Sequence, residues 1–204
     1  MSKAIRIVLI FTVLYLNQGV VSGQSTYRPN PDPVSKLGWG VNLGNMWFYN
    51  NTFQFGLAPN VAYNLNETLA AGIMVKLDYY YERFPQYRLK LSALDIGPTV
   101  FARWKPLWNM QSLPTFLQGV FLQAEYERAF IAREAVDENG YFILNKKGNR
   151  IKTERHGEDY LYLGLGLTSG YPFSTLVSIH YNIMDDFDRS RQPFTYRVGF
   201  TYNY

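Results

Sequence analysis

Ser178 and His180 stand two residues apart in the segment Val177-Ser178-Ile179-His180. An extended strand puts both on one face. A serine beside a histidine is the start of a nucleophile–base pair, and Glu125 or Glu127 could orient the imidazole. A wider set of charged residues falls in similarly alternating segments: Lys76, Asp78, Asp95, Glu125, Glu127, His180 and Arg197. The chemistry open to this set is hydrolysis, ion passage, or plain charge pairing inside a fold. The second histidine, His156, stands apart from His180, and two separated histidines do not make a metal site. There is no cysteine, which excludes disulfides and thiolate metal ligands. Gly164-x-Gly166 is not a phosphate loop, because no helix follows it. No catalytic, cofactor or metal site is therefore expected.

The elements that must position these residues are strands. From Phe194 to Tyr204 every second residue is apolar or aromatic: Phe194, Tyr196, Val198, Phe200, Tyr202 and Tyr204. The intervening face holds Thr195, Arg197, Gly199, Thr201 and Asn203. The same alternation predicts seven further strands over 37–48, 52–65, 68–81, 89–104, 116–129, 160–168 and 174–185. One face is large and apolar throughout, and the other is small or polar. These strands exceed the ~5–6 residues usual in soluble sheets. They match the ~9–11 that a tilted membrane strand needs. Pro59 and Pro98 fall inside proposed strands, and each predicts a bulge.

The N-terminus reads as an export signal over 1–23. Lys3 and Arg6 precede the apolar run 7–16, and Val21-Ser22-Gly23 supplies small residues at a cleavage site. Residues 24–35, with Pro29, Pro31 and Pro33, read as a flexible periplasmic lead-in. Without Lys3 and Arg6, the 20 basic residues fall to 18 against 16 acidic ones, which gives no reason to expect nucleic acid. Tyrosine is abundant, at 17 of 204 residues. Rings with a polar tip suit a membrane–water interface. Trp39, Trp47, Tyr63, Tyr81, Trp104, Tyr126 and Tyr202 are expected to form the two aromatic girdles.

These features converge on an all-β, eight-stranded antiparallel up-and-down transmembrane β-barrel over 36–204. The alternation, the Gly-Trp-Gly-Val-Asn-Leu-Gly opening at 38–44 and the closing strand resemble the small eight-stranded outer-membrane barrels of the OmpA-transmembrane/OmpX type. They are similar to outer-membrane barrels of Bacteroidota. The resemblance implies a bacterial outer-membrane location with both termini periplasmic and no periplasmic domain after Tyr204. It implies outer-membrane lipid and lipopolysaccharide as surroundings and says little of function. Because only one external loop is long and a low-profile barrel can pack beside a bigger one, a non-enzymatic accessory subunit of a larger outer-membrane complex, or a structural barrel, is expected, with other outer-membrane proteins as partners. Some small barrels are lipid A deacylases, but their triads face lipid, whereas Ser178 and His180 are expected to point inward. The interior of an eight-stranded barrel is just wide enough for side chains to fill. The inward charges are thus expected to form a salt-bridge plug.

The longest connection, 129–158, is expected to be external. It carries Lys146, Lys147, Arg150, Lys152 and Arg155 beside Glu134, Asp137, Glu138 and Glu154. Its basic centre is expected to touch lipopolysaccharide phosphates or a partner protein. The plainer reading is a solvated hairpin with turns at Asn139-Gly140 and Lys147-Gly148-Asn149.

Overall fold

A computed structural model describes residues 36–184 and 194–202, except 50, 111, 171 and 172. The proposed signal, the lead-in, Tyr204 and most of the β7–β8 connection lie outside the described residues. Eight strands close into an antiparallel barrel in which each strand pairs with its neighbour in sequence and β1 pairs with β8. They are β1 Leu37–Tyr49, β2 Thr52–Asn64, β3 Leu69–Phe84, β4 Leu89–Trp104, β5 Val120–Glu134, β6 Thr153–Ser169, β7 Phe173–Asn182 and β8 Phe194–Tyr202.

Burial follows the alternation most plainly in β5 and β8, with its sense inverted relative to a soluble barrel. In β5, Phe121, Gln123, Glu125 and Glu127 are buried, while Leu122 and Tyr126 are exposed. In β8, Arg197 and Thr201 are buried, while Tyr196, Val198 and Phe200 are exposed. Charges sit inside and apolar side chains cover the outside, as a lipid solvent demands. Aromatics gather toward both ends of the outer wall. Trp39 and Tyr202 lie 5.7 Å apart, and Phe173 packs on Tyr202 at 4.8 Å. Tyr181 and Phe194 meet at 5.1 Å near the other end.

The interior is fitted by glycines where large side chains cross. A Cβ on Gly164 would collide with the His180 ring, and one on Gly166 with Phe121. Gly97 faces the Glu127 carboxylate, and Gly56 faces Asp78. A small apolar cluster of Ala58, Ala62, Ala70, Met74 and Phe101 fills the half nearer the termini.

Several expectations need correction. Neither proline makes a bulge. Pro59 stays in register opposite Val41, and Pro98 opposite Val75. The ladder lapses only toward the strand on the other side, β3 for Pro59 and β5 for Pro98, with no change of register. The missing N–H is thus absorbed as one lost bond, and both rings face outward. The one shift in β1–β2 lies between Gly44 and Trp47 instead. Residues 115–118 are helical (α1, Thr115–Gln118) rather than strand, since Pro114 starts a turn in which Leu117 N–H donates to its carbonyl at 2.9 Å.

The connection expected at 129–158 is also shorter. β5 runs on to Glu134 and β6 begins at Thr153. The alternation breaks off there, at Phe130-Ile131-Ala132 on β5 and across the polar run 153–159 on β6, so the apolar period fades. Cross-strand pairs replace it: Arg128 with Asp159 at 2.6 Å, and Arg133 with Glu158. Among the described residues, β3 to β6 have 15 to 17 residues, whereas β7 has 10 and β8 has 9.

The remaining 135–152 segment is folded. Leu144 pairs with Ile151 around a turn in which Asn145 Oδ1 accepts the Asn149 and Arg150 N–H groups and Gly148 adopts φ 65°. This hairpin lies against the start of β4, where Lys90 N–H donates to Asn149 O at 3.2 Å and Ile151 N–H to Lys90 O at 3.0 Å. Leu91, Ile131, Ala135 and Ile151 are buried at this end. Both expected turn signals, Asn139-Gly140 and Lys147-Gly148-Asn149, mark real turns.

The glycine fit gives a direct check. Gly164→Ala and Gly166→Val should each lower unfolding stability in detergent by about 1–3 kcal/mol, the usual cost of overpacking. Gly140→Ala, in open space at the loop tip, should be milder despite its φ of 81°. Urea titrations of the three variants read the order.

Candidate functional site

The lumen is where the sequence-predicted charges converge. Glu125 is its hub and is 1% exposed. Its carboxylate pairs with the Arg197 guanidinium. The Lys76 ammonium lies 2.9 Å from its other oxygen and 2.7 Å from Glu127. Gln123 donates its amide to Glu125 Oε1 at 2.6 Å and accepts from Arg103 Nε at 2.7 Å. Tyr162 offers its ring face to Lys76 at 4.2 Å and to Arg197 at 5.9 Å. Each cation is thus held from two sides, by carboxylate and by aromatic π-face.

The strand pattern accounts for the assembly. Lys76 on β3, Glu125 and Glu127 on β5, His180 on β7 and Arg197 on β8 are all inward by parity, and barrel closure brings them together. Asp78 and Asp95 point inward toward the end away from the chain termini, opposite one another in the β3–β4 ladder. Asp95 accepts the Ala132 N–H at 2.7 Å, tying β4 to β5 where their ladder has stopped. Arg103 and Gln123 complete the network, though the sequence reading left them out of the cluster. Their inward parity was the available signal. Arg103 also lies over the Phe121 ring at 4.5 Å.

The serine and histidine meet as their spacing suggests. His180 Nε2 and Ser178 Oγ are 2.9 Å apart, and His180 Nδ1 lies 3.5 Å from Glu125 Oε1. The order is that of a nucleophile, a base and a carboxylate. Its setting differs from that of an active site. All three are buried, and Glu125 already serves two cations. Two concave surfaces of the barrel are lined by Phe48, Thr52 and Tyr81, and by Leu122, Leu163 and Ile179, and neither includes Ser178. Among the described residues no group of three histidine, cysteine or carboxylate side chains could hold a metal. The expected external contacts, Lys146, Lys147, Arg150, Lys152 and Arg155, are all exposed.

One buried cation lies outside this network. Lys105 follows β4 at the end that carries the chain termini and is 7% exposed. Burial, and then the Arg103 guanidinium, push its ammonium down to about 8.

No family profile and no curated protein matches the chain. Among solved structures it is similar to the N-terminal β-barrel domain of Pseudomonas aeruginosa OprF, at 8% identity and TM-score 0.39 over 82% of this chain and 96% of that one. It is also similar to the Yersinia pestis outer membrane protein Ail in a phospholipid nanodisc, at 14% identity and TM-score 0.42 over 81% and 97%. The complex of Ail with the heparin analogue sucrose octasulfate aligns at 12% identity and TM-score 0.29 over 81% and 94%. The chain has the fold of the small eight-stranded outer-membrane barrels, and this rests on its closed strand order and inverted burial.

Two outcomes follow from the buried charges. Glu125→Gln leaves Arg197 and Lys76 poorly compensated and should cost about 3–5 kcal/mol, as breaking a buried ion pair does. Urea unfolding in detergent measures it. Lys105 has a lowered folded pKa, so the folded state binds fewer protons between about 8 and the ordinary 10.5. Stability should therefore rise with pH across that window and be flat below it. The difference between wild type and Lys105→Met, melted at a series of pH values, isolates this contribution.

Proposed function

We propose that this chain is a non-enzymatic outer-membrane β-barrel that works by contact. It serves as an accessory or interaction subunit beside a larger outer-membrane machine for transport, secretion or protein assembly, or as a structural barrel. The observation that carries this reading is the filled lumen. Glu125, His180, Arg197 and Phe121 are all buried across its middle, so the interior offers neither an aqueous path nor a substrate cleft. What remains for function is the outer wall and the external crest. The wall presents contiguous exposed apolar side chains, and a lipid-facing surface can equally receive another barrel. The short β7–β8 pair suits lateral packing against a taller neighbour.

The crest supplies a second contact surface, toward lipopolysaccharide or a partner. Lys146, Lys147, Arg150, Lys152 and Arg155 have no ion pair among the described residues, whereas Arg128 and Arg133 on the strands below are paired. Termini in the periplasm and crest outside is the orientation in which short turns and long loops take their usual sides.

A lipid-modifying hydrolase is the second reading, favoured only by the Ser178–His180–Glu125 geometry. Burial of all three opposes it, since a nucleophile must reach its substrate.

Mild-detergent capture of the tagged chain from native outer membranes, with mass spectrometry, tests the main reading. A stoichiometric large barrel or surface lipoprotein is expected. Recovery of a lone monomer would remove the subunit role. A fluorophosphonate probe should leave Ser178 unlabelled in the folded protein, and His180→Ala should leave lipid A composition unchanged. Labelling at Ser178 would reinstate the enzyme.

A further inference from the structure

Lys105 is set apart by what surrounds it. Trp104, the last residue of β4, faces outward at 50% exposure, so Lys105 turns inward beside Arg103. Its backbone is fixed on both sides. The Lys105 N–H donates to Thr68 O at 2.7 Å, and its carbonyl accepts from Trp108 N–H at 3.4 Å. The ammonium lies 4.9 Å from the Trp108 ring centre. The buried cations Lys76 and Arg197 each meet a carboxylate. Lys105 meets none among the described residues, and the charge that acts on it most is another cation, Arg103. Burying a charge without a counter-charge is costly, and a like charge beside it adds to the cost. Side chains placed this way are favourable once an anion joins them.

We infer that the end of the lumen nearest the chain termini binds a phosphate group, held by the Lys105 ammonium, walled by the Trp108 ring and backed by the Arg103 guanidinium. Three features favour phosphate. The donors are an ammonium and a guanidinium, which form charge-assisted hydrogen bonds to oxyanions. The low-dielectric wall strengthens them. The adjacent exposed Trp104 sits at the end of the apolar outer wall, the level at which phospholipid headgroups begin. Two sources share this chemistry: free phosphate from the aqueous side and the phosphodiester of a lipid headgroup.

The test uses the folded full chain in neutral detergent at pH 7, melted in increasing inorganic phosphate against sodium chloride of matched ionic strength. A saturable rise in melting temperature is expected for wild type and for Lys105→Arg, and none for Lys105→Met. The wild-type rise should vanish at pH 10, where Lys105 is neutral and Arg103 is not. A second arm compares wild type and Lys105→Met in bilayers of phosphatidylcholine with and without phosphatidylglycerol. Lys105-dependent stabilisation only with phosphatidylglycerol assigns the site to a headgroup, and only with free phosphate assigns it to a solute. Equal responses of wild type and Lys105→Met in both arms overturn the site. If Lys105→Met does not fold, a wild-type melting temperature that responds to phosphate no differently than to chloride overturns it alone.

Discussion

The structure turns on one buried carboxylate. Glu125 sits in the middle of a closed wall with water excluded, and such a charge survives only if the fold delivers cations to it. β3 delivers Lys76 and β8 delivers Arg197, from strands separated by most of the chain. Their meeting requires closure of β1 on β8 and the correct register of every ladder between. A one-residue slip in any strand would turn its charge into lipid. The same constraint explains the glycines. Long charged and aromatic side chains crossing a narrow lumen need bare backbone opposite them, and Gly56, Gly97, Gly164 and Gly166 provide it. Charge pairing, glycine placement and strand register are therefore one specification.

That specification also buries the Ser178–His180 pair within the charge network. The proposed contact role looks instead to the apolar wall, the folded crest and the end near the termini. The crest is structured rather than a loose loop. Its hairpin is bonded to Lys90 of β4, which ties the β3–β4 tip to the β5–β6 tip.

The parts of the fold open to sequence reading were those where one physical rule acts alone. Within the membrane, alternation of large apolar and small or polar residues is the only pattern compatible with lipid outside and side chains inside. It places all eight strands and the inward set of Lys76, Glu125, Glu127, His180 and Arg197. Where strands leave the membrane, the rule lapses. The stretches 130–134 and 153–159, where the alternation of large apolar and polar residues breaks off, form strands all the same, held by pairs such as Arg133–Glu158 that carry no period. Pro59 and Pro98 misled because a missing donor costs one bond on one side, which the ladder absorbs without a bulge. The isolation of Lys105 was not readable at all. It depends on which side chains a distant turn brings near, and Trp108 is three residues on in a connection with no regular period.

The central claim is an inverted barrel, with lipid outside and paired charge inside. The chain has no cysteine, so single cysteines can carry nitroxide labels without background. Labels at Ile73, Val100, Val177 and Val198, all exposed on the outer wall, should be accessible to oxygen and shielded from a water-soluble nickel relaxant in lipid bilayers. A label at Tyr141 on the crest should show the opposite. Equal access of the nickel reagent to the wall positions and to Tyr141 would contradict the account and make this a water-soluble barrel.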